Sequence, residues 1–169
     1  MTSFLIKTHE TRPPSTWSSS PDCAFCQILK GESPATVVYE NDLVIAFLDI
    51  LPLRRGHTLV VPKAHYSRLS ELPPEFASAI GEAVTKVAHA LTVALDHTGL
   101  NVVCNQEYAQ AVPHVHYHVI PAPKFDDPLS YSSTTQPLTQ RQMHRLEFAG
   151  RSELDDDASA LADQIRAKL

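Results

Sequence analysis

No stretch of this chain comes near the roughly 20 consecutive apolar residues that a membrane span requires, so no transmembrane segment is expected. Nor is there an excess of positive charge: 14 Lys and Arg stand against 19 Asp and Glu, a formal net charge of −5. General nucleic-acid binders carry a basic stripe. That class is set aside, while a single nucleotide in a local pocket stays open. The opening residues, Met1 to Glu10, are too few and too polar for a secretory leader. We therefore expect a cytoplasmic protein, with the nucleus also open to it. Cysteine is scarce: Cys23, Cys26 and Cys104. In a reducing compartment a Cys-x-x-Cys points to a metal or a free thiol pair more than to a structural disulfide. Cys104 reads as a buried strand residue.

What is present suffices for one compact domain with tails, since 43% of the 169 residues are hydrophobic. Residues 1–21 are rich in Ser, Thr and Pro and read as a flexible arm, with Trp17 able to dock. Residues 22–123 read as the folded part. Phe25, Ile28 and Leu29 predict a short helix ended by Gly31 and Pro34. Val37 to Tyr39, Leu43 to Leu48 and Thr58 to Val61 predict strands, with a turn at Glu40-Asn41-Asp42. Phe76, Ile80, Val84, Val87, Leu91 and Leu95 recur at spacings of three and four, which predicts a helix over 74–97. Leu100 to Cys104 and residues 113–121 complete the strands. Residues 124–150 read as a loop-rich extension. Residues 151–169 read as a C-terminal helix, with Ser152 and Asp155 as a capping box and Leu154, Ala158, Leu161 and Ile165 as its apolar stripe.

The chemistry concentrates in His114-Val115-His116-Tyr117-His118, three of the nine histidines at period two. On a strand they project from one face, with neighbours roughly 7 Å apart. Two readings fit. The imidazoles bind a metal, or one attacks phosphorus while the others contact the phosphate and fix its tautomer.

The segment His114 to Pro121, H-V-H-Y-H-V-I-P, resembles the signature of the histidine-triad (HIT) family. Cys23-Ala-Phe-Cys26-Gln-Ile28 with Gly31-Glu-Ser-Pro34 looks like the family's first helix. Val38-Tyr-Glu-Asn-Asp42 and Ala46-Phe-Leu-Asp-Ile50 look like its first hairpin, and Gly56-His-Thr-Leu-Val-Val-Pro-Lys63 like the next strand. The resemblance covers about residues 23–121. It implies an α+β fold: an antiparallel sheet of about five strands with the long helix packed across it. The nucleoside phosphoramidases resemble this chain most, and the dinucleoside-polyphosphate hydrolases come next.

The resemblance also implies a division of labour. His116 attacks the α-phosphorus of a purine nucleotide and forms a nucleotidyl-histidine that water cleaves. His118 faces phosphate and leaving group, the His114 carbonyl fixes the His116 tautomer, and His57 lies near the phosphate. Asp49 accepts the ribose hydroxyls; Phe25, Ile28, Phe47, Leu48 and Ile50 wall the base; Asn105 and Gln110 contact phosphate or leaving group. Cys23, Cys26, His65 and His114 hold a structural zinc ion, and no organic cofactor is expected. The family commonly pairs as two-fold dimers, so a homodimer is expected here too.

One segment departs from the family pattern. Asn105-Gln-Glu-Tyr-Ala-Gln-Ala-Val-Pro-His114 is about two residues short and lacks the glycines usual there. Ala111 stands where relatives carry a hydroxyl, and Glu107 adds negative charge. The nucleophile is kept, but the choice of leaving group is open. The competing functions are a dinucleoside-polyphosphate hydrolase, a nucleotide-binding protein with weak catalysis, and a purely metal-binding triad. A DNA-adenylate hydrolase fits less well, because the acidic tail offers no nucleic-acid-binding segment.

Overall fold

The computed structural model of the protein describes residues 19–122 and 156–169. The expected arm before residue 19, Trp17 within it, and the extension over 124–150 lie outside the described residues, as do Ser152, Leu154 and Asp155 of the expected capping box and stripe.

The elements are α1 (Ala24–Leu29), β1 (Val37–Glu40), β2 (Val44–Leu48), β3 (Thr58–Pro62), α2 (Pro74–Ala94), β4 (Leu100–Cys104), β5 (Tyr117–Pro121) and α3 (Ala158–Arg166), with a single 3₁₀ turn at Leu69–Glu71. The strands form one sheet in the order β1-β2-β3-β5-β4, antiparallel throughout. This is the α+β fold expected. At the β1–β2 turn Asn41 Oδ1 accepts the Leu43 and Val44 N–H groups at 2.9 and 2.7 Å, a side-chain turn that starts β2.

Strand alternation divides the core in two. Val44, Ala46 and Leu48 of β2, Val60 of β3 and Val119 of β5 pack with Phe76, Ile80, Val87 and Leu91 of α2. Ile45 and Phe47 of β2 and Leu59 and Val61 of β3 pack on the other side with Cys23, Phe25 and Cys26. β2 and β3 are therefore buried along their whole length. α2 meets the sheet through Phe76, Ile80, Ala83, Val87, Ala90 and Leu91, whereas Val84 and Leu95 sit at the margin, half-buried. The buried stripe thus runs through two alanines, which let the helix lie close. α2 ends at Ala94, earlier than position 97. Asp96 takes φ 49°, and the His97 N–H closes on the Thr92 carbonyl at 3.1 Å, a Schellman stop placed by aspartate rather than by Gly99. Gly56 is required where it stands: its φ is 86°, and a Cβ there would come within 2.9 Å of Leu95 Cδ1.

β5 is shorter than the pattern over 113–121 predicts. Its ladder begins at Tyr117, opposite Val60 and Cys104. Pro113 has no N–H to offer, and the Val115 N–H is spent on the Tyr66 carbonyl at 2.6 Å. His114 and His116 therefore precede the strand on an extended lead-in. Alternation survives there, because Val115 packs in the α2 core while Phe25, on the other side, contacts the rings of His114 and His116.

α3 docks on the α2 side through Leu161, Ala162 and Ile165. Its Arg166 guanidinium donates to the Val37 carbonyl of β1. The C-terminal helix thus lies across the sheet from the histidines. Truncating Ile165 to Ala removes a fully buried side chain from this contact and is expected to cost about 2–5 kcal/mol. Urea unfolding of Ile165→Ala checks this, and a midpoint equal to the parent's would contradict the docking.

Candidate active site

The lead-in to β5, β5 itself and the loop before β3 bring three imidazoles into one row. The ring centroids of His116 and His118 are 4.8 Å apart and those of His118 and His57 5.1 Å apart. Phe25 sits edge-on to His116 at 5.2 Å.

Hydrogen bonds assign the proton positions. The His114 carbonyl accepts at 2.6 Å from His116 Nδ1, so Nδ1 carries the proton and Nε2 the lone pair. Burial holds the His116 pKa below the ordinary histidine value, against raising contributions from the His114 carbonyl and Asp49. His116 is thus neutral near pH 7, with an unprotonated Nε2.

His118 has the opposite tautomer. The Leu53 N–H donates to His57 Nδ1 at 3.1 Å, which leaves the His57 proton on Nε2. That proton meets His118 Nδ1 at 3.0 Å, so His118 carries its own proton on Nε2. An electron-pair donor and a proton donor therefore stand side by side. The Asp49 carboxylate lies 3.4 Å from His57 Nδ1, and its other oxygen accepts the Leu51 N–H at 3.0 Å. Asp49, His57 and His118 are close enough to suggest a metal site. Asp49 Oδ2 faces one ring nitrogen of His57 and His118 Nδ1 the other, so His57 stands between the two.

The remaining expected site residues divide. Phe25 and Phe47 are buried in one cluster, 5.5 Å apart, with Ile28 against it. Leu48 does not join them; alternation sends it into the α2 core, so it cannot wall a pocket on the histidine side. Ile50, next to Asp49, is 75% exposed. Asn105 follows β4 directly and is half-buried. Gln110 departs from the expected phosphate contact. It is 1% exposed, its Oε1 accepts the Glu107 N–H at 3.0 Å, and its Nε2 donates to the carbonyls of Ser67 at 2.9 Å and His114 at 3.4 Å.

The loop before the triad turns without glycine. Glu107 and Ala109 take φ of 61° and 57°. Arg68 holds Glu107 at 2.6 Å and Glu71 at 2.8 Å. Arg68 thus holds the Glu107 carboxylate in an ion pair that it shares with Glu71. Sequence reasoning missed Arg68, since nothing in its local pattern ties it to a loop 39 residues away.

A second cluster lies behind the triad. Cys23, Cys26, His65 and His114 bring their ligand atoms within 4.8 Å of one another. A tetrahedral zinc ion with ordinary bond lengths would set sulfur and nitrogen about 3.6 Å apart. The observed Sγ···Nδ1 distances are 3.5 Å for Cys23–His114, 3.3 Å for Cys26–His65 and 3.7 Å for Cys26–His114. His114 Nε2 donates to the Pro62 carbonyl at 2.9 Å, which turns the Nδ1 lone pair toward the thiols. Burial lowers the His114 pKa to about 4 and raises that of Cys23 to about 11. Two thiols and two imidazoles, one of them the neutral His114, are a donor set suited to a divalent cation.

Residues 30–125 match the HIT domain family. The chain is 38% identical over 150 residues to the Arabidopsis thaliana adenylylsulfatase HINT3, covering 88% of this chain and 70% of that protein. It is 36% identical over 126 residues to the Schizosaccharomyces pombe adenosine 5'-monophosphoramidase hnt1, covering 73% and 92%. A crystal structure of a zinc-bound histidine triad family protein from Mycobacterium smegmatis superposes with a TM-score of 0.67 at 31% identity, covering 87% of this chain and 92% of that one.

The buried His114 makes stability depend on pH. Its folded-state pKa of about 4 lies below the unfolded value of about 6.5, so the unfolded chain takes up the proton first. Stability from this group is complete above about pH 6.5 and lost as pH falls toward 4, a difference of about 3 kcal/mol. Urea midpoints measured from pH 7 to 4.5 are expected to fall, and His114→Asn to flatten that fall. A pH-independent midpoint would contradict it.

Proposed function

The chain belongs to the HIT domain family, and from that premise we propose that it is a nucleotide hydrolase acting on an adenosine phosphoramidate-type substrate through a nucleotidyl-His116 intermediate. The observation that carries this reading is the pair of opposed tautomers: His116 Nδ1–H committed to the His114 carbonyl, and His118 with its proton on Nε2.

In this reading His116 Nε2 attacks the α-phosphorus, and the bond to the leaving nitrogen breaks. The leaving nitrogen needs a proton, which His118 supplies from Nε2. For this His118 enters the step charged. Its Nδ1–H then donates to His57 Nε2, and the His57 proton shifts to Nδ1, which gives up the Leu53 N–H and donates to Asp49 Oδ2. The carboxylate offsets the added charge. Water next attacks phosphorus, the P–Nε2 bond breaks, and His118 Nε2 takes the proton from water. Nucleotide monophosphate and amine leave, and His118 regains its charge. Splitting the displacement in two lowers each barrier. In this reading Asp49, two residues beyond Phe47 of the aromatic cluster, accepts the ribose hydroxyls. The Schizosaccharomyces pombe relative, named a phosphoramidase, supports the leaving group. A second reading, hydrolysis of adenylyl sulfate, is favoured by the adenylylsulfatase that matches 88% of the chain. Cleavage of diadenosine triphosphate is the third arm of the same comparison.

These readings separate by leaving group. Sulfate departs without a proton and an amine does not. His116→Ala is expected to abolish turnover of either substrate by at least about 10³-fold. His118→Ala is expected to slow phosphoramidate cleavage by about 10²–10⁴-fold and adenylyl sulfate cleavage far less. Because the His116 pKa is depressed, the acid limb of kcat/KM should lie below pH 6.5. Turnover by His116→Ala at the parental rate would overturn the mechanism.

We further propose that Cys23, Cys26, His65 and His114 hold one structural zinc ion, which would cross-link α1, the end of β3 and the triad lead-in. The donor distances support this, as does the zinc-bound relative. Metal analysis is expected to give about one zinc per chain, and Cys26→Ser to lose it with a lower Tm. Metal-free protein of unchanged Tm would exclude the site.

A further inference from the structure

We propose that Gln110 is a positioning residue for the nucleophile: its carboxamide, acting through the His114 carbonyl, holds His116 in the tautomer whose Nε2 can attack. This rests on the reading of His116 as nucleophile and assigns Gln110 a task other than touching the substrate.

The peptide unit joining His114 and Val115 carries this carbonyl. It precedes the first ladder residue of β5, Tyr117, so neither neighbouring strand bonds it. Its orientation nevertheless decides where the carbonyl that receives the His116 proton points. Both ends of the unit are anchored to the segment that follows β3. The Val115 N–H donates to the Tyr66 carbonyl at 2.6 Å. The His114 carbonyl receives Gln110 Nε2 at 3.4 Å, and the same nitrogen donates to the Ser67 carbonyl at 2.9 Å. A planar peptide gripped at both ends cannot rotate. Its carbonyl has two lone pairs, so Gln110 and His116 Nδ1 are accommodated together.

Gln110 suits this task. It is 1% exposed, and both ends of its amide are engaged: two acceptors for Nε2 and the Glu107 N–H for Oε1. Glu107 is in turn held by Arg68, the residue after Ser67. The glycine-free loop is thereby braced against the segment that orients the catalytic peptide. If the carbonyl swings away, His116 Nδ1 loses its acceptor, and the proton is free to occupy Nε2. That nitrogen then has no lone pair for phosphorus.

The test is Gln110→Met, similar in length but without the amide, in the full chain at matched zinc content. Imidazole ¹⁵N shifts of the ligand-free protein report the His116 tautomer directly. We expect Nδ1–H alone in the parent and a mixture with Nε2–H in the variant. With adenosine phosphoramidate, kcat should fall about tenfold to a hundredfold while KM stays within about twofold, the scale of a small misplacement of a reacting group. If Gln110→Met does not fold, Gln110→Glu replaces it, since it keeps the acceptor for Glu107 and loses the donors. An unchanged tautomer, with or without loss of activity, overturns the proposal. So does a raised KM at constant kcat, which would return Gln110 to the phosphate. The tautomer is read without substrate, so a parent that cleaves no phosphoramidate would count against the proposed reaction and leave the positioning result intact.

Discussion

The 2.6 Å hydrogen bond from His116 Nδ1 to the His114 carbonyl is the constraint around which the site is arranged. It turns a residue with two equivalent-looking nitrogens into one with a defined nucleophilic edge. His114 then serves both sides of the structure. Its carbonyl orients His116, its Nε2 donates to Pro62, and its Nδ1 faces Cys23 and Cys26. One residue thus ties the reactive imidazole to the end of β3 and to α1. Burial keeps both histidines neutral, so the proposed nucleophile and the proposed zinc ligand need lose no proton.

The sheet supplies the rigidity this needs. β2 and β3 are buried on both faces, and α2 and α3 load one face with aliphatic side chains. That leaves the other face to α1, the aromatic pair and the imidazoles. Because α3 packs with α2, the C-terminal segment stabilises the scaffold from behind rather than covering the histidines. In the proposed reaction the Asp49 carboxylate, 3.4 Å from His57 Nδ1, would stabilise a proton on the His57–His118 pair.

Much of the site was legible in the residues. Period two in His114, His116 and His118 put the rings on one side even where the ladder stops, because an extended backbone alternates with or without a partner strand. For Cys23-x-x-Cys26 it was the family resemblance that supplied His65 and His114 as further donors, and the distances fit such a cluster. The resemblance set Leu48 with Phe47 in the wall around the base, but alternation places the two on opposite faces. Gln110 was read as a substrate contact from its place before the triad. Its three hydrogen bonds depend on Ser67, Glu107 and His114 meeting, and no local pattern encodes that meeting.

The sequence by itself determined the element types, the two-sided core and the identity of the reactive groups, since periodicity and side-chain chemistry are local properties. Tertiary structure decided which nitrogen of each histidine bears the proton. That choice rests on acceptors and donors supplied from elsewhere, among them Leu53 for His57 and, through Gln110, Ser67 for the peptide that orients His116. It also decided how a loop without glycine is held, through an ion pair between Arg68 and Glu107 that exists only once β3 and β5 are paired. Hydrogen bonds and ion pairs across such separations depend on distances in space, which the order of residues does not specify.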